Sequence, residues 1–330
     1  MNRRRRWLAY LVYLAVRIVA AVFHAFPIDR NLRTARLLGA IWARWPAWLP
    51  GVGPPLARHR ARAEEHLRLA LPDLPPPEIR RIAEQSMQSM AMLAVEVLFT
   101  PRLITPWTWS RYVEVRSLDE ALRVLLRQTG CILLTAHYGN WELLGYTLAT
   151  LGFDCVAVMR PLDNPYLNDY LMAQREASGL RLLYKKGATL SMEEVLQQRG
   201  TLCFIADQNA GSKGLFVDFF GRPASTYRSI GLLAIRHRVP IVVGYARRLG
   251  DVFRYEMAVN RVIHPAEWEG RDDALLWITR EFSRAIELFV RRDPAQYLWI
   301  HRRWKARPRD ESPARQGTAP GNECQTVAAR

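Results

Sequence analysis

The chain has 330 residues and a net charge of +16, from 47 Lys and Arg against 31 Asp and Glu. Its composition, 49% hydrophobic and 24% charged, excludes a disordered, collagenous or disulfide-stapled chain and allows one large core or two smaller ones. The excess charge lies at two ends: residues 1–70 are net +10 and 291–309 net +6, whereas 71–290 are net +1 and 310–330 net −1. A nucleic-acid-binding chain spreads cations along its binding body, so this distribution argues for an anionic surface and against nucleic acid.

In chain order, a basic cluster at 1–6 precedes an apolar run, WLAYLVYLAVRIVAAVFHAF, over 7–26. As a helix it is long enough for a hydrocarbon core of about 30 Å. Arg17 sits in its middle, where a deep span costs roughly 2.5–3.5 kcal/mol. The interruption and the lack of a small-x-small exit site disfavour a signal peptide, and Arg17 disfavours a buried soluble helix. A membrane anchor is expected, either one span or a helix lying in the interface with Arg17 snorkelling. Arg30, Arg33, Arg36 and Arg44 follow as closely as Arg3–Arg6 precede, so the positive-inside rule picks no side. An anionic cytoplasmic leaflet would satisfy both flanks.

Residues 42–56, rich in Trp and Pro, read as a loop whose tryptophans suit an interface or a core equally. A basic amphipathic stretch covers 57–71. The spacing of Ile79, Ile82, Met87, Met90, Leu93, Val97 and Leu98 predicts a long helix over 78–99, with its methionines as core filler. Strands are predicted over 113–116, 131–136, 153–159, 201–206, 241–247 and 255–259. Between and after them, helices are predicted over 117–128, 142–151, 164–178, 191–200, 230–237 and 272–290. Ser117 to Glu120 and Ser191 to Glu194 read as capping boxes. Near-continuous Val/Ile/Leu strands alternating with helices imply an α/β fold with a largely parallel central sheet flanked by helices. The chain thus divides into an anchor helix at 1–27, a membrane-proximal helical region at 28–109, an α/β domain at 110–309 and a disordered tail at 310–330. Four dispersed cysteines, with no CxxC pair, exclude the usual zinc spacing. Cys131, Cys155 and Cys203 lie in apolar runs and read as buried free thiols, suited to a reducing compartment.

The segment Thr135-Ala-His137-Tyr-Gly-Asn-Trp-Glu142 carries the clearest chemistry. His137 follows a buried strand, and the carboxyl ends of strands are where open α/β sheets hold ligands. A turn at Gly139 and Asn140 can bring the Glu142 carboxylate back to one imidazole nitrogen, leaving the other to deprotonate a hydroxyl. The competing assignment is a satisfied buried histidine. No second histidine stands at metal-ligand spacing, and no GxSxG elbow is present. His301 could join only from far along the chain.

HYGNWE at 137–142, RPLDNPYL at 160–167, ADQNAG at 206–211, FFGRPAST at 219–226 and QYLWIHRRWKARP at 296–308 resemble, in order, the lipid A biosynthesis acyltransferases. These are the lauroyl and myristoyl transferases within the lysophospholipid acyltransferase-like superfamily. The resemblance implies transfer of a fatty acyl chain from acyl-acyl carrier protein, or acyl-CoA, to a hydroxyl of a lipid A precursor or related glycolipid. It implies the inner membrane as location and a cytoplasmic catalytic domain; thioester acylation by a hydroxyl needs a base, oxyanion stabilisation and exclusion of water, and no cofactor or metal. By position, His137 would be the general base and Glu142 its orienting partner, with Arg160, Asn164, Asp207, Gln208 and Arg222 binding substrate. Arg160 also reads as a salt-bridge residue, Asp207 as a buried cap, and Gly221–Arg222 as a plain turn. Backbone amides near Gly139 and Asn140, or a cationic side chain, are candidate oxyanion donors. Ala136 and the acidic Glu142 depart from the glycerolipid branch of the superfamily, which carries Asn and Asp there. Other acceptors (a mannolipid, an aminolipid or a lysophospholipid) and a non-catalytic membrane-binding protein remain the competing readings.

Overall fold

A computed structural model describes residues 3–46, 53–184 and 189–308. The expected tail at 310–330 lies outside the described residues.

Seven strands form one sheet in the order β1-β9-β8-β2-β5-β3-β4. They are β1 (Val113–Arg116), β2 (Cys131–Thr135), β3 (Cys155–Met159), β4 (Arg181–Tyr184), β5 (Thr201–Ile205), β8 (Ile241–Arg248) and β9 (Tyr255–Ile263). Only the β8–β9 pairing is antiparallel; every other pairing in the sheet is parallel. The expected largely parallel sheet is therefore present, and β2 sits near its middle, where an apolar run can be covered on both faces. Side-chain alternation sorts the two faces: Ile132 and Leu134 pack into one core cluster, and Leu133 lies against another.

Helices α3 (Gly53–Ala70), α8 (Thr189–Gln197), α9 (Arg228–His237) and α10 (Ala274–Arg292) cover the first face. Helices α2 (Ile28–Ala43) and α6 (Trp141–Thr150) cover the second, and α5 (Asp119–Leu126) caps a smaller cluster on Cys131, Val242 and Val262. The long α4 (Pro76–Leu103) serves both faces, with Ile79, Ile82 and Ala83 in one core and Met92, Val95 and Phe99 in the other. α7 (Pro165–Glu176) follows β3. Cys131 and Cys155 are buried free thiols as expected, whereas Cys203 is only partly buried.

Several local expectations are corrected. Residues 42–56 are not all loop, because α2 reaches Ala43 and α3 begins at Gly53. Pro54 and Pro55 fall in the first turn of α3, where a missing N–H breaks no helical hydrogen bond. Neither capping box forms. α5 is capped at Leu118 without a side-chain bond, and Ser117 takes φ +53° as it leaves the strand. Ser191 falls inside α8. Two strands, β6 (Leu215–Phe219) and β7 (Arg222–Thr226), make an unforeseen antiparallel hairpin. Its two-residue turn, Phe220-Gly221, has positive φ at both positions, as a type I′ turn requires.

α1 (Arg3–His24) is the one helix among the described residues long and apolar enough to cross a membrane. It is docked on the body at both ends. Near its start the Asn164 amide donates to the Ala9 carbonyl at 2.9 Å, and Tyr10 and Tyr13 pack on Tyr166. At its end His24 meets the Leu98 carbonyl at 3.1 Å. Arg17 turns toward α7, donating to the Tyr13 hydroxyl and lying over the Tyr170 ring at 5.0 Å. Trp7, Leu8, Leu11, Ile18, Val19 and Val22 remain exposed.

The helical region is tied to the sheet by a buried ion pair between Glu96 of α4 and Arg248 of β8, whose side chains are 0% and 4% exposed. Arg248 also donates to the Ser89 hydroxyl at 3.1 Å, and Asn140 donates to the second Glu96 oxygen at 3.0 Å. Removing one member of such a pair strands a buried charge, at a cost of roughly 3–5 kcal/mol. Arg248→Met should lower the unfolding free energy of the detergent-solubilised protein by about that amount. Arg68→Met, which breaks a partly exposed pair with Glu64, should cost under about 1 kcal/mol. Equal small losses in chaotrope unfolding would show that the buried pair does not hold the two regions together.

Candidate active site

β2 and β5 are parallel neighbours in register, Thr135 opposite Ile205, so the loops leaving them emerge side by side. His137 lies two residues beyond the end of β2 and Asp207 two beyond the end of β5. Their adjacency follows from strand register. Asp207 Oδ1 lies 2.8 Å from His137 Nδ1, and Oδ2 accepts from the His137 backbone N–H at 3.1 Å. One carboxylate thus holds both the backbone and the ring of the same residue. With Nδ1–H donating to Asp207, the lone pair belongs to Nε2, which the Gln208 side-chain amide meets at 3.3 Å.

The turn after His137 is held from two sides. The Gly139 N–H donates to the Gln296 carbonyl at 3.0 Å and the Asn140 N–H to the Ala246 carbonyl at 2.8 Å. Both amides are engaged, which corrects the expectation that they could receive an oxyanion. Gly139 has φ +57°, and a Cβ there would stand 2.0 Å from the Ala246 oxygen, so no other residue fits. Asn140 accepts from Leu143 N–H at 2.8 Å, capping α6. The Leu298 N–H donates to the His137 carbonyl at 3.0 Å, which gives the segment 296–308 a bracing role.

Glu142 does not orient the imidazole, contrary to the expectation from the HxxxxE spacing. It lies in the first turn of α6, and its carboxylate is taken by Arg175 of α7 in a two-pronged bond of 2.5 and 2.8 Å. A guanidinium fork fits a carboxylate better than an imidazole edge does, and this pair is less than one-fifth exposed. Trp141, whose ring packs edge-on to His137 at 4.9 Å, donates to Glu142 at 3.2 Å.

The other expected site residues separate. Arg160 stands on the rim of a cleft of about 510 Å³ that His137 and Gln208 also line; it is 83% exposed and loosely paired with Asp163. Asn164 caps α7 through Tyr166 and Leu167 and joins it to α1, a structural use rather than a place in the cleft. Arg222 lies on the exposed end of the hairpin, outside the cleft lining. Gly221 belongs to the hairpin turn.

His301, foreseen only as a distant candidate, does reach the site. Its ring lies parallel to that of His137 at 6.3 Å between centroids, and its Nε2 accepts from the Asn209 N–H at 3.3 Å. Buried Arg303 donates to the carbonyls of Gln208 and Ser225 and to the Thr226 hydroxyl, tying the Asp207 loop to the hairpin. Arg175 carried no sequence signal, and Trp141 and Arg303 lay within the quoted segments without a role assigned, because each acts through a fold contact with no fixed spacing.

Burial opposes charge on His137, but the charge and hydrogen bond of Asp207, aided by Glu142, outweigh it and raise its pKa above 6.5. Burial likewise disfavours ionised Asp207, yet the His137 contacts bring its pKa down to about 2. Burial lowers His301 to about 4; Asp207 opposes the shift, and the neighbouring His137 and Arg303 add to it. Among the described residues no group of three or more His, Cys, Asp or Glu is placed to hold a metal ion.

A second, apolar cavity adjoins the cleft. Val158, Met159, Phe204 and Ile205 line both spaces, at the carboxyl ends of β3 and β5. From there the cavity runs under the sheet among Leu125, Leu133, Gly145, Leu148 and Val259, with the Glu142–Arg175 pair also in its wall. A hydrogen-bonded histidine thus lines a cleft of mixed polarity that shares four residues with a slot lined by hydrocarbon.

This juxtaposition agrees with the sequence comparisons. The profile of bacterial lipid A biosynthesis acyltransferases matches residues 2–306. The chain belongs to that family. It is 26% identical over 263 residues to a lipid A biosynthesis acyltransferase of Haemophilus influenzae, covering 78% of this chain and 81% of the relative. It is 25% identical over 267 residues to the lipid A biosynthesis palmitoleoyltransferase of Escherichia coli, covering 78% and 83%. A phosphatidylinositol mannoside acyltransferase of Mycolicibacterium smegmatis is 24% identical over 210 residues, covering 62% and 67%. The chain is accordingly an acyltransferase of groups other than aminoacyl groups.

The raised pKa of His137 is open to direct measurement. In ¹⁵N NMR its imidazole should titrate above pH 6.5, and Asp207→Asn should move that midpoint down, since burial then acts without the opposing carboxylate. A midpoint unmoved by the substitution would contradict the Asp207 contact. By linkage, the upward shift stabilises the fold below the unfolded-state pKa, a gain lost as pH rises through the folded one.

Proposed function

We propose that the enzyme moves a fatty acyl chain from acyl-acyl carrier protein to a hydroxyl of a lipid A precursor or related glycolipid, with His137 as general base. The observation that carries this reading is that His137 Nε2, turned away from Asp207 and toward Gln208, belongs to a cleft that shares its β3 and β5 wall with the apolar cavity. The acceptor hydroxyl takes the place of the Gln208 amide at Nε2. Its oxygen adds to the thioester carbonyl as its proton passes to Nε2. The C–S bond then breaks, and the proton leaves His137 for the departing thiolate. Asp207 holds the tautomer and stabilises the imidazolium between these steps. The acyl chain occupies the apolar cavity, and the cleft with Arg160 on its rim takes the acceptor. Neither step calls on a cofactor.

The enzyme works at the inner membrane with its catalytic domain on the cytoplasmic side, where the acyl carrier protein is found. α1 lies in the interface rather than projecting as a free span. Its contacts to the body near Ala9 and at His24 support this, as does the exposed apolar face that extends to Leu37, Leu38 and Ile41 of α2. A different lipid acceptor is the second reading, favoured by the mannoside acyltransferase among the relatives.

His137→Ala should reduce acyl transfer by at least about 10²-fold, with membrane association unchanged and the fold retained at a lower unfolding midpoint, because buried Asp207 loses its partner. The check is single-turnover transfer from a labelled acyl-acyl carrier protein to the lipid acceptor by the purified variant. Turnover close to that of the unsubstituted enzyme would remove His137 from the mechanism.

A further inference from the structure

In a groove between α2, α3 and α4 most cations are paired: Arg44 with Glu84, Arg60 with Glu64, and Arg81 with Glu78. One face further round α3 the pattern reverses. Arg58 and Arg62, one turn apart, face Arg302 and Lys305 across a concave space of about 440 Å³. None of the four makes an ion pair within 4 Å among the described residues, and Glu65 is the only carboxylate in the lining. Burial, then Arg302 and Arg58, depress the Arg62 pKa, while Glu65 offsets them only in part. The cations are crowded together with only Glu65 to offset them.

Two further features mark the space as built. Arg62 is steadied by a bond to the Ile300 carbonyl at 3.3 Å, and His66 by one to the Trp299 carbonyl at 2.8 Å. Trp304 lines the wall, packed edge-on against His66, and its buried indole N–H has no partner among the described residues. Crowded cations with a single carboxylate among them are what an anion would complete. The concavity suits a compact group better than the face of an acidic protein. Arg302 directly follows His301, whose ring centroid lies 6.3 Å from that of His137.

We propose that the Arg58–Arg62–Arg302–Lys305 cleft binds a phosphate group, and that this phosphate belongs to the sugar head of the acceptor. The assignment of the phosphate to the acceptor rests on the acyltransferase reading above; the anion site itself does not. Bound there, the phosphate fixes the head group from outside the cleft while the hydroxyl to be acylated reaches Nε2. The site selects phosphorylated acceptors by the same contacts that hold them.

The test uses the full-length detergent-solubilised enzyme with inorganic pyrophosphate as probe, measured by calorimetry at low salt. Arg58 and Arg302 are exposed, so the double variant R58Q/R302Q should fold, as checked by its unfolding transition. It should bind pyrophosphate about tenfold or more weakly than the unsubstituted enzyme, since two charge-assisted contacts are lost. KM for a phosphorylated glycolipid acceptor should rise by a similar factor, with the loss falling on KM rather than kcat, and KM for its dephosphorylated counterpart should not change. His137→Ala should keep full pyrophosphate affinity. If no acyl transfer is found with any acceptor while the double variant still loses pyrophosphate, the reaction assignment fails and the anion site stands. Equal pyrophosphate affinity in both proteins would overturn the proposal. So would loss of binding to phosphatidylglycerol vesicles in step with pyrophosphate, which would make the cleft a contact for membrane headgroups.

Discussion

The site depends on one carboxylate doing two things. Asp207 accepts from the backbone N–H of His137 and from its ring, and it can do so only because β2 and β5 are adjacent, parallel and in register. A shift of one residue between those strands would turn the carboxylate to the other face of the sheet. Burial alone would leave His137 a poor proton acceptor near neutral pH. The buried anion raises the basicity of Nε2 while keeping Nδ1 protonated. The same burial that strengthens this pair also makes it costly to break, so the surrounding structure is arranged to keep it closed.

That arrangement draws on parts of the chain far apart in sequence. Gln296 and Leu298 brace the His137 turn from one side and Ala246 of β8 from the other. Arg303 fixes the loop that carries Asp207, and the Glu96–Arg248 pair couples the turn to α4 through Asn140. Each brace satisfies a backbone or side-chain group that burial would otherwise leave unpaired. The segment 296–308, basic by composition, is therefore heterogeneous: Arg303 is internal, whereas Arg302 and Lys305 face outward.

The order of strands and helices was legible because each central strand is a short apolar run and each helix has a periodic face. The parallel sheet followed from that alternation. The β6–β7 hairpin was not legible, since Asp218 and Pro223 interrupt runs of only five residues. β4, Arg-Leu-Leu-Tyr with both ends exposed, lacks the alternation that marks the equally short edge strand β1. At the site, His137 and Asp207 were visible as residues at strand ends, but their pairing was not. Glu142 stood nearest in sequence and drew the assignment, while Arg175, which holds it, lies 33 residues away. Local spacing brings a carboxylate close to the imidazole, and only strand register decides which one touches it. Arg222 and Asn164 were carried by resemblance of wording. Their side chains serve a hairpin end and the joint between α1 and α7.

The central claim is that Asp207, not Glu142, is the partner of the base. It is tested most directly by single-turnover acyl transfer with Asp207→Asn and Glu142→Gln side by side. Asp207→Asn should lower the rate by about 10²–10⁴-fold with little effect on acceptor KM. Glu142→Gln, which disturbs Arg175 and the cavity wall, should cost far less in rate. A Glu142→Gln enzyme without turnover, beside an Asp207→Asn enzyme near full activity, would contradict the account.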